Sequence, residues 1–86
     1  MFVIVVYDVN AKRTAKVLKL CRKYLDHVQR SVFEGSITEA KLKHLKNELA
    51  HAIVKDEDSV MIYKFVTLRY TSKEVIGIGM QVENCL

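Results

Sequence analysis

A single acidic residue, Asp8, stands directly after the apolar and aromatic run of residues 2–7 in the stretch "FVIVVYD". Such a run is typical of a central strand that is buried on both faces. Ligand sites in α/β folds form at the carboxyl ends of strands, which is where Asp8 lies. Asn10 is better placed to cap the helix that follows, so capping does not account for Asp8. Its carboxylate is therefore a candidate for catalysis or metal binding.

One carboxylate alone is a poor magnesium site, because Mg²⁺ takes one or two carboxylates together with water and phosphate oxygens. A two-fold dimer would solve this difficulty. Symmetry doubles every residue near the axis, so that Asp8 would become two facing carboxylates.

Basic residues are concentrated in the sequence that follows Asp8. Seven of the 14 Lys and Arg residues, but only one of the 10 Asp and Glu residues, lie between Lys12 and Arg30, where they concentrate the net charge of +4. At 100° per residue, four lysines form a stripe along one side of a helix expected over 11–26: Lys12, Lys16, Lys19 and Lys23. A solvated helix face usually mixes charges for i,i+4 pairing, whereas these like charges repel. The stripe is either plain surface or an anion-binding surface, which a two-fold axis would lengthen into a track for a duplex backbone.

Other chemistry finds little support. The sequence has no GxSxG, HExxH, phosphate-binding loop or CxxC motif. The three histidines (His27, His44 and His51) are scattered, and the last two lie too far apart to bind one ion. Cys21 and Cys85 fit no zinc spacing. We expect Cys21 to pack as a small apolar residue and Cys85 to lie in a loose tail.

The length of 86 residues predicts one domain, 1–86. So short a chain buries only about 60–65% of its unfolded surface, so a partner subunit would stabilise it. Half of the residues are hydrophobic and 28% are charged, as in a soluble globular domain. No apolar run approaches the ~20 residues of a membrane span, and "FVIVVY" is too short for a signal-peptide core. We expect a cytoplasmic protein without a membrane partner.

Strands and helices are expected to alternate. After the first helix, residues 27–37 are extended, with a bend, a bulge or two short strands. "SITE" (36–39) predicts a capping box in which Ser36 and Glu39 begin a second helix that runs to about Val54. A charged loop (55–58) and strands over 59–66 and 74–82 follow, the last weakened by Gly77 and Gly79. Right-handed crossovers place both helices on one face of the sheet, as in a ferredoxin-like fold. The open face is then apolar, and a second copy is the natural candidate to cover it.

Three stretches together resemble one known family. They are "VIVVYDVN" with "KR" shortly after it, "YLDHVQRSVFEGSIT", and "DSVMIYKF". They are similar to the CRISPR-associated protein two family, small metal-dependent nuclease-like proteins of CRISPR adaptation (spacer acquisition). The resemblance covers nearly the whole chain. It implies an α+β fold, a ferredoxin-like βαββαβ sandwich with an extra C-terminal strand, in a homodimer packed through the sheets. It also implies one Mg²⁺ or Mn²⁺ ion shared between the two Asp8 side chains.

The resemblance also implies roles for individual residues. Tyr7 and Asp8 match the family's "YD" pair, and Ser31 and Phe33 fall in its "SVF" segment. Asp8, Ser31 and Phe33 are the expected catalytic residues: Ser31 would position a phosphate, and Phe33 would shape the site or stack on a base. The residues expected to bind nucleic acid are Lys12, Arg13, Lys16, Lys19, Lys23 and Arg30. Tyr7 and Phe33 have the alternative of being core or interface aromatics, and the choice of Arg13 over Lys12 stays open.

Two functions of different classes follow from the resemblance. One is a metal-dependent endonuclease acting on RNA or DNA. The other is a non-catalytic dimer that bridges dimers of the CRISPR integrase, CRISPR-associated protein one, and holds spacer DNA. An active site with one metal, two carboxylates and no evident general base has few catalytic groups, which favours weak activity. A toxin ribonuclease of the virulence-associated type is a more distant alternative. An ordinary RNA-binding domain is disfavoured because its aromatic stacking motif is absent.

Overall fold

Strands and helices alternate in the order expected from the sequence. A computed structural model describes residues 1–66 and residue 76. The elements in chain order are β1 (Phe2–Asp8), α1 (Ala11–Arg22), β2 (Asp26–Gln29), β3 (Val32–Ser36), α2 (Glu39–Ala52) and β4 (Ser59–Phe65). This order confirms the predicted βαββαβ arrangement. The strand expected over 74–82, like Cys85, lies outside the described residues, apart from residue 76.

The four strands form one antiparallel sheet in the order β2-β3-β1-β4. Strand β1 occupies a central position, with Val5 opposite Phe33 of β3 on one side and Ile62 of β4 on the other. The two strands joined by each helix are therefore separated by one other strand, which is the split βαβ pattern of a ferredoxin-like fold. The predicted fold class is confirmed by this topology.

The hydrophobic core lies between the sheet and the two helices. Alternate residues of β1 (Val3, Val5 and Tyr7) are buried, as expected for a strand whose side chains point to opposite faces. They belong to the same apolar cluster as residues from both helices: Val17, Cys21, Leu42, Leu45 and Leu49. Both helices therefore cover one face of the sheet, as predicted, and Cys21 packs as an apolar core residue. No helix in the described part of the chain is long and apolar enough to cross a membrane.

The opposite face of the sheet is left open. It carries the other residues of β1 (Phe2, Ile4 and Val6), which the register places beside Phe65, Tyr63 and Met61 of β4. Met61 and Tyr63 are about half exposed, at 50% and 51%. The open face is therefore apolar along β1 and β4, as the sequence predicted.

Helix α1 is shorter than predicted, ending at Arg22 rather than at residue 26. The chain turns after it, and the Leu25 backbone N–H donates to the Cys21 carbonyl at 2.9 Å. Leu25 is buried in the core, and Asp26 already pairs with Glu34 as the start of β2. Pairing of β2 with β3 therefore outweighs the helical periodicity of residues 23–26.

The capping box predicted at "SITE" is also wrong. Thr38 is the N-cap of α2, and its hydroxyl accepts from the Lys41 backbone N–H at 3.1 Å. Ser36 remains in β3, opposite Phe2. Helix α2 also ends at Ala52, two residues before the predicted end at Val54. The Val54 backbone N–H instead donates to the Asp58 carboxylate at 2.8 Å.

Residues 27–37 form two short strands with an irregularity, which confirms one of the predicted forms. The register shifts between His27 and Gln29, and Arg30 turns the hairpin with a φ of 38°. Gly35 lies on the face that Leu25 covers, where an added Cβ would come within 3.3 Å of Leu25 Cδ2. The glycine of "VFEG" thus permits the close approach of the chain that precedes β2.

Candidate active site and cationic helix

The carboxylate of Asp8 lies at the end of β1 and is exposed to solvent. Asp8 is opposite Ser59 in β4, and the alternation of side chains places it on the same side as Ile4 and Val6 of the open face. Within residues 1–66, its side chain makes no hydrogen bond or ion pair. It is therefore free to bind an external cation, as a candidate metal ligand must be.

Asp8 also borders a shallow pocket of about 360 Å³ between the start of α1 and the β2–β3 hairpin. The lining residues are Tyr7, Asp8, Val9, Thr14, Leu18, His27, Arg30 and Ser31. The structure thus brings together Tyr7, Asp8, Arg30 and Ser31, four of the residues singled out from the sequence. The Ser31 carbonyl accepts from the Tyr7 N–H at 3.1 Å, which ties the hairpin to the end of β1. Asp8, Arg30 and three residues with hydroxyl groups (Tyr7, Thr14 and Ser31) therefore line one opening to solvent.

Tyr7, which lines this pocket, and Phe33, which does not, are both rings packed in the core. Phe33 is fully buried and Tyr7 is 5% exposed. Their ring centroids are 6.2 Å apart in a stacked arrangement, and burial raises the pKa of the Tyr7 hydroxyl. A ring as buried as Phe33 cannot stack on a nucleotide base without rearrangement, and its burial agrees with the alternative of a core aromatic.

The sequence did not mark His27 as a site residue. Its ring stacks on Phe33 with centroids 4.5 Å apart, and its Nε2 lies 2.6 Å from the Arg30 carbonyl oxygen. Since a carbonyl only accepts, Nε2–H is the donor. This bond holds the hairpin at the positive-φ residue Arg30. The β2–β3 hairpin places His27 opposite Phe33. The spacing of these residues in the sequence gave no indication that His27 would support the hairpin.

The lysine stripe lies on the exposed side of α1, away from the buried Val17 and Cys21. Lys12, Lys16 and Lys19 are exposed, and none of them forms an ion pair with any residue in the range 1–66. Lys23 differs, because its Nζ lies 2.5 Å from Oε2 of Glu48 in α2. Glu48 also accepts from the Tyr24 hydroxyl at 2.6 Å, and Lys23, followed by Tyr24, lowers the pKa of the Glu48 carboxyl. Three of the four lysines therefore remain free cations.

Arg13 is committed to a carboxylate pair. Its Nε and Nη2 donate to the two oxygens of Asp58 at 2.6 and 3.1 Å, and Nη2 also donates to Glu57 at 2.7 Å. The Arg13 side chain is 14% exposed and that of Asp58 is fully buried. The hydrogen bonds from Arg13, ahead of those from Val54 and Asn10, hold the pKa of Asp58 well below its usual value. The structure therefore sets Arg13 apart from the free cations among which the sequence placed it.

Asp58 is a further residue that the sequence did not single out, since "KDED" was interpreted only as a charged loop. Its partners Arg13 and Asn10 lie 45 and 48 residues away in the sequence. No local pattern distinguishes it from Asp56 or Glu57, so only the folded chain identifies it.

The donor set at Asp8 fits a magnesium ion only in part. No group of three or more His, Cys, Asp or Glu side chains with metal-binding geometry occurs in the described part of the chain. Mg²⁺ is commonly held by one or two carboxylates together with water and substrate phosphates. One exposed carboxylate meets that requirement only when a second copy or the substrate completes the shell.

Comparison with known proteins identifies the family. The sequence model described as "CRISPR associated protein Cas2" matches residues 1–73. A protein of Dictyoglomus turgidum named "CRISPR-associated endoribonuclease Cas2" is 50% identical over 78 residues, covering 91% of this chain and 90% of that protein. A solved structure titled "Crystal structure of cas2" superposes with a TM-score of 0.82 at 45% identity, covering 93% of this chain and 90% of the other. The Cas2 structure of Streptococcus pyogenes gives a TM-score of 0.75 at 35% identity, over 87% and 99% of the two chains. This chain belongs to the Cas2 family of CRISPR-associated proteins.

Proposed function

We propose that this protein is a metal-dependent endoribonuclease of CRISPR adaptation that works as a homodimer, with Asp8 of each copy contributing to one shared site. The observation that carries the proposal is the exposed carboxylate of Asp8. It makes no hydrogen bond or ion pair within residues 1–66 and borders a pocket that also holds Ser31 and Arg30. The relatives named as endoribonucleases supply the reaction class.

The chain's own residues divide the work by chemistry. Arg30 supplies a positive charge at the pocket for a substrate phosphate, and the hydroxyl group of Ser31 supplies a hydrogen-bond donor. The Asp8 carboxylate is a ligand for Mg²⁺ or Mn²⁺. Such an ion, when bound, polarises the phosphate and lowers the pKa of a bound water. The free lysines of α1 attract the phosphates of the nucleic-acid backbone that lie outside the pocket.

A homodimer packed through the open face is part of the proposal. The apolar stripe of β1 and β4 ends at Asp8, so the surface that would meet a second copy is continuous with the candidate site. Two-fold symmetry at that surface brings two Asp8 residues towards one axis. The second carboxylate needed for a firm metal site then comes from the partner.

The test compares cleavage of single-stranded RNA and duplex DNA by the wild type, Asp8→Asn and Asp8→Ala, with Mg²⁺ and with a chelator. We expect RNA cleavage by the wild type with Mg²⁺ only, and none by either variant. Asp56→Asn is a matched control, because Asp56 is an exposed acid in the loop before β4. Full cleavage by Asp8→Asn would contradict the catalytic assignment.

A second candidate function is the scaffold that bridges integrase dimers and holds spacer DNA. The observation that favours it is the row of free cations on α1 (Lys12, Lys16 and Lys19), on the side of the helix that faces away from the sheet. This row could hold a duplex whether or not Asp8 cuts. Duplex binding and spacer acquisition that survive Asp8→Asn would support the scaffold role. The family match gives no support to the toxin-type ribonuclease.

A further inference from the structure

The Asp58 carboxylate accepts four hydrogen bonds from three residues, which lie at the start of α1 and just after α2. Oδ1 accepts from the Asn10 N–H at 2.8 Å and from Arg13 Nη2 at 3.1 Å. Oδ2 accepts from Arg13 Nε at 2.6 Å and from the Val54 N–H at 2.8 Å. Since a carboxylate has about four acceptor positions, Asp58 is fully satisfied. We call Asp58 and Arg13, with the Asn10 N–H, the clasp.

The clasp lies next to Asp8 along the chain and across the sheet. Asn10 follows Asp8 by two residues and also caps α1, with its side chain accepting from the Lys12 N–H. Ser59, which follows Asp58 directly, is the cross-strand partner of Asp8. Asp58 thus binds Asn10, just after Asp8, and directly precedes Ser59, the residue opposite Asp8. These bonds therefore restrain the strand end that carries the candidate metal ligand.

Arg13 contributes geometry to the clasp rather than a free charge. Asp58 occupies Nε and Nη2 of its guanidinium in the two-bond arrangement that arginine makes with carboxylates, and Glu57 shares Nη2. Lysine cannot form this fork, because its ammonium is a single point donor. The exposed Lys16, on the same helix, has no such partner among residues 1–66.

We infer that Asp58, acting through Arg13 and Asn10, is a positioning residue that sets the place of the Asp8 carboxylate, and that Arg13 serves this clasp instead of contacting substrate phosphate. The inference rests on the proposed function in so far as Asp8 is the metal ligand. Groups that orient metal ligands without touching the metal typically change metal affinity or activity by roughly 10- to 100-fold when they are removed.

Arg13→Lys is the central variant, since it keeps the charge and removes the fork. Its cleavage should show kcat reduced by roughly 10- to 100-fold with little change in KM. The comparator is Lys16→Gln, which removes a free cation that would bind a phosphate and should therefore raise KM and weaken the salt dependence of binding. Arg13→Lys that keeps full kcat, together with Arg13→Gln that mimics Lys16→Gln, would overturn the inference and make Arg13 a phosphate-binding residue.

A structural readout separates the inference from the proposed function. In ¹⁵N–¹H spectra, Arg13→Lys and Asp58→Asn should shift the amide signals of Asn10, Val54 and Asp8. Lys16→Gln should leave the Asp8 signal in place. Unchanged Asn10 and Asp8 signals in Arg13→Lys would refute the clasp, whatever the activity. If the wild type fails to cleave RNA, the proposed function falls, and these amide signals alone decide whether the clasp sets the position of Asp8. Arg13→Lys keeps the test valid if Asp58→Asn does not fold.

Discussion

The ammonium of Lys23 lies 2.5 Å from the carboxylate of Glu48, which joins the end of α1 to α2. The sequence places Lys23 in one row with Lys12, Lys16 and Lys19, since all four share a helical face. In the folded chain its charge is compensated from the neighbouring helix. The free charge of the lysine stripe is therefore carried by the three other lysines.

This difference predicts unequal effects on duplex binding. Removing two free cations as Lys16→Gln and Lys19→Gln should reduce the slope of log K against log salt by about 0.9 for each phosphate that is no longer neutralised. Lys23→Gln should change the slope less, because Glu48 already neutralises that charge. The measurement is binding to a short duplex across a salt series. Lys43→Gln with Lys46→Gln is the matched control on α2, and a slope equal to that of the α1 variants would show that charge alone, without position, governs binding.

The open face predicts a dimer that one polar substitution disrupts. Tyr63→Glu places a charge in the middle of the apolar stripe, and we expect a monomer by light scattering at micromolar concentration, where the wild type is a dimer. The control is Lys64→Glu, since Lys64 is the next residue of β4 and lies on the other face, opposite Val3. A wild type that is monomeric at this concentration would contradict the shared Asp8 site.

Phe33 is expected to act through stability. Truncation of a fully buried phenylalanine typically costs about 3–5 kcal/mol, and Phe33 packs on both Tyr7 and His27. Phe33→Ala should therefore lower the free energy of unfolding by that amount in a urea titration, and Phe33→Leu by much less. If Phe33→Leu keeps its fold and its RNA cleavage, the ring only supports the site. Loss of cleavage in a folded Phe33→Leu would instead indicate a direct role.

The clasp predicts a dependence of stability on acid. Arg13 lowers the pKa of Asp58 in the folded state below its value of 3.8 in the unfolded chain. The stabilisation is fully present about one pH unit above the ordinary carboxyl pKa and is lost as the pH falls through that value, because the unfolded chain then binds a proton that the folded chain excludes. The free energy of unfolding should thus fall between pH 4 and pH 2. Asp58→Asn should remove this part of the pH dependence, whereas Asp56→Asn should keep it.

Local patterns determined most of the secondary structure. The apolar run before Asp8, the cap at Asn10 and the apolar stripes of both helices depend on residues close in sequence, so the folded chain keeps them. The same is true of the family resemblance, because it rests on contiguous stretches. The position of Asp8 at a strand end followed from the local pattern as well.

Tertiary structure decided what pairs over long distances. It ended α1 early so that β2 could join the sheet, moved the cap of α2 from Ser36 to Thr38, and buried Phe33 under His27. It also separated two basic residues from the rest by giving Lys23 and Arg13 acidic partners 25 and 45 residues away. Charge and periodicity show that a side chain can form an ion pair, but the partner is chosen by the packing of elements that are remote in the sequence. The ion pair between Arg13 and Asp58 is therefore set by the folded chain and not by local sequence.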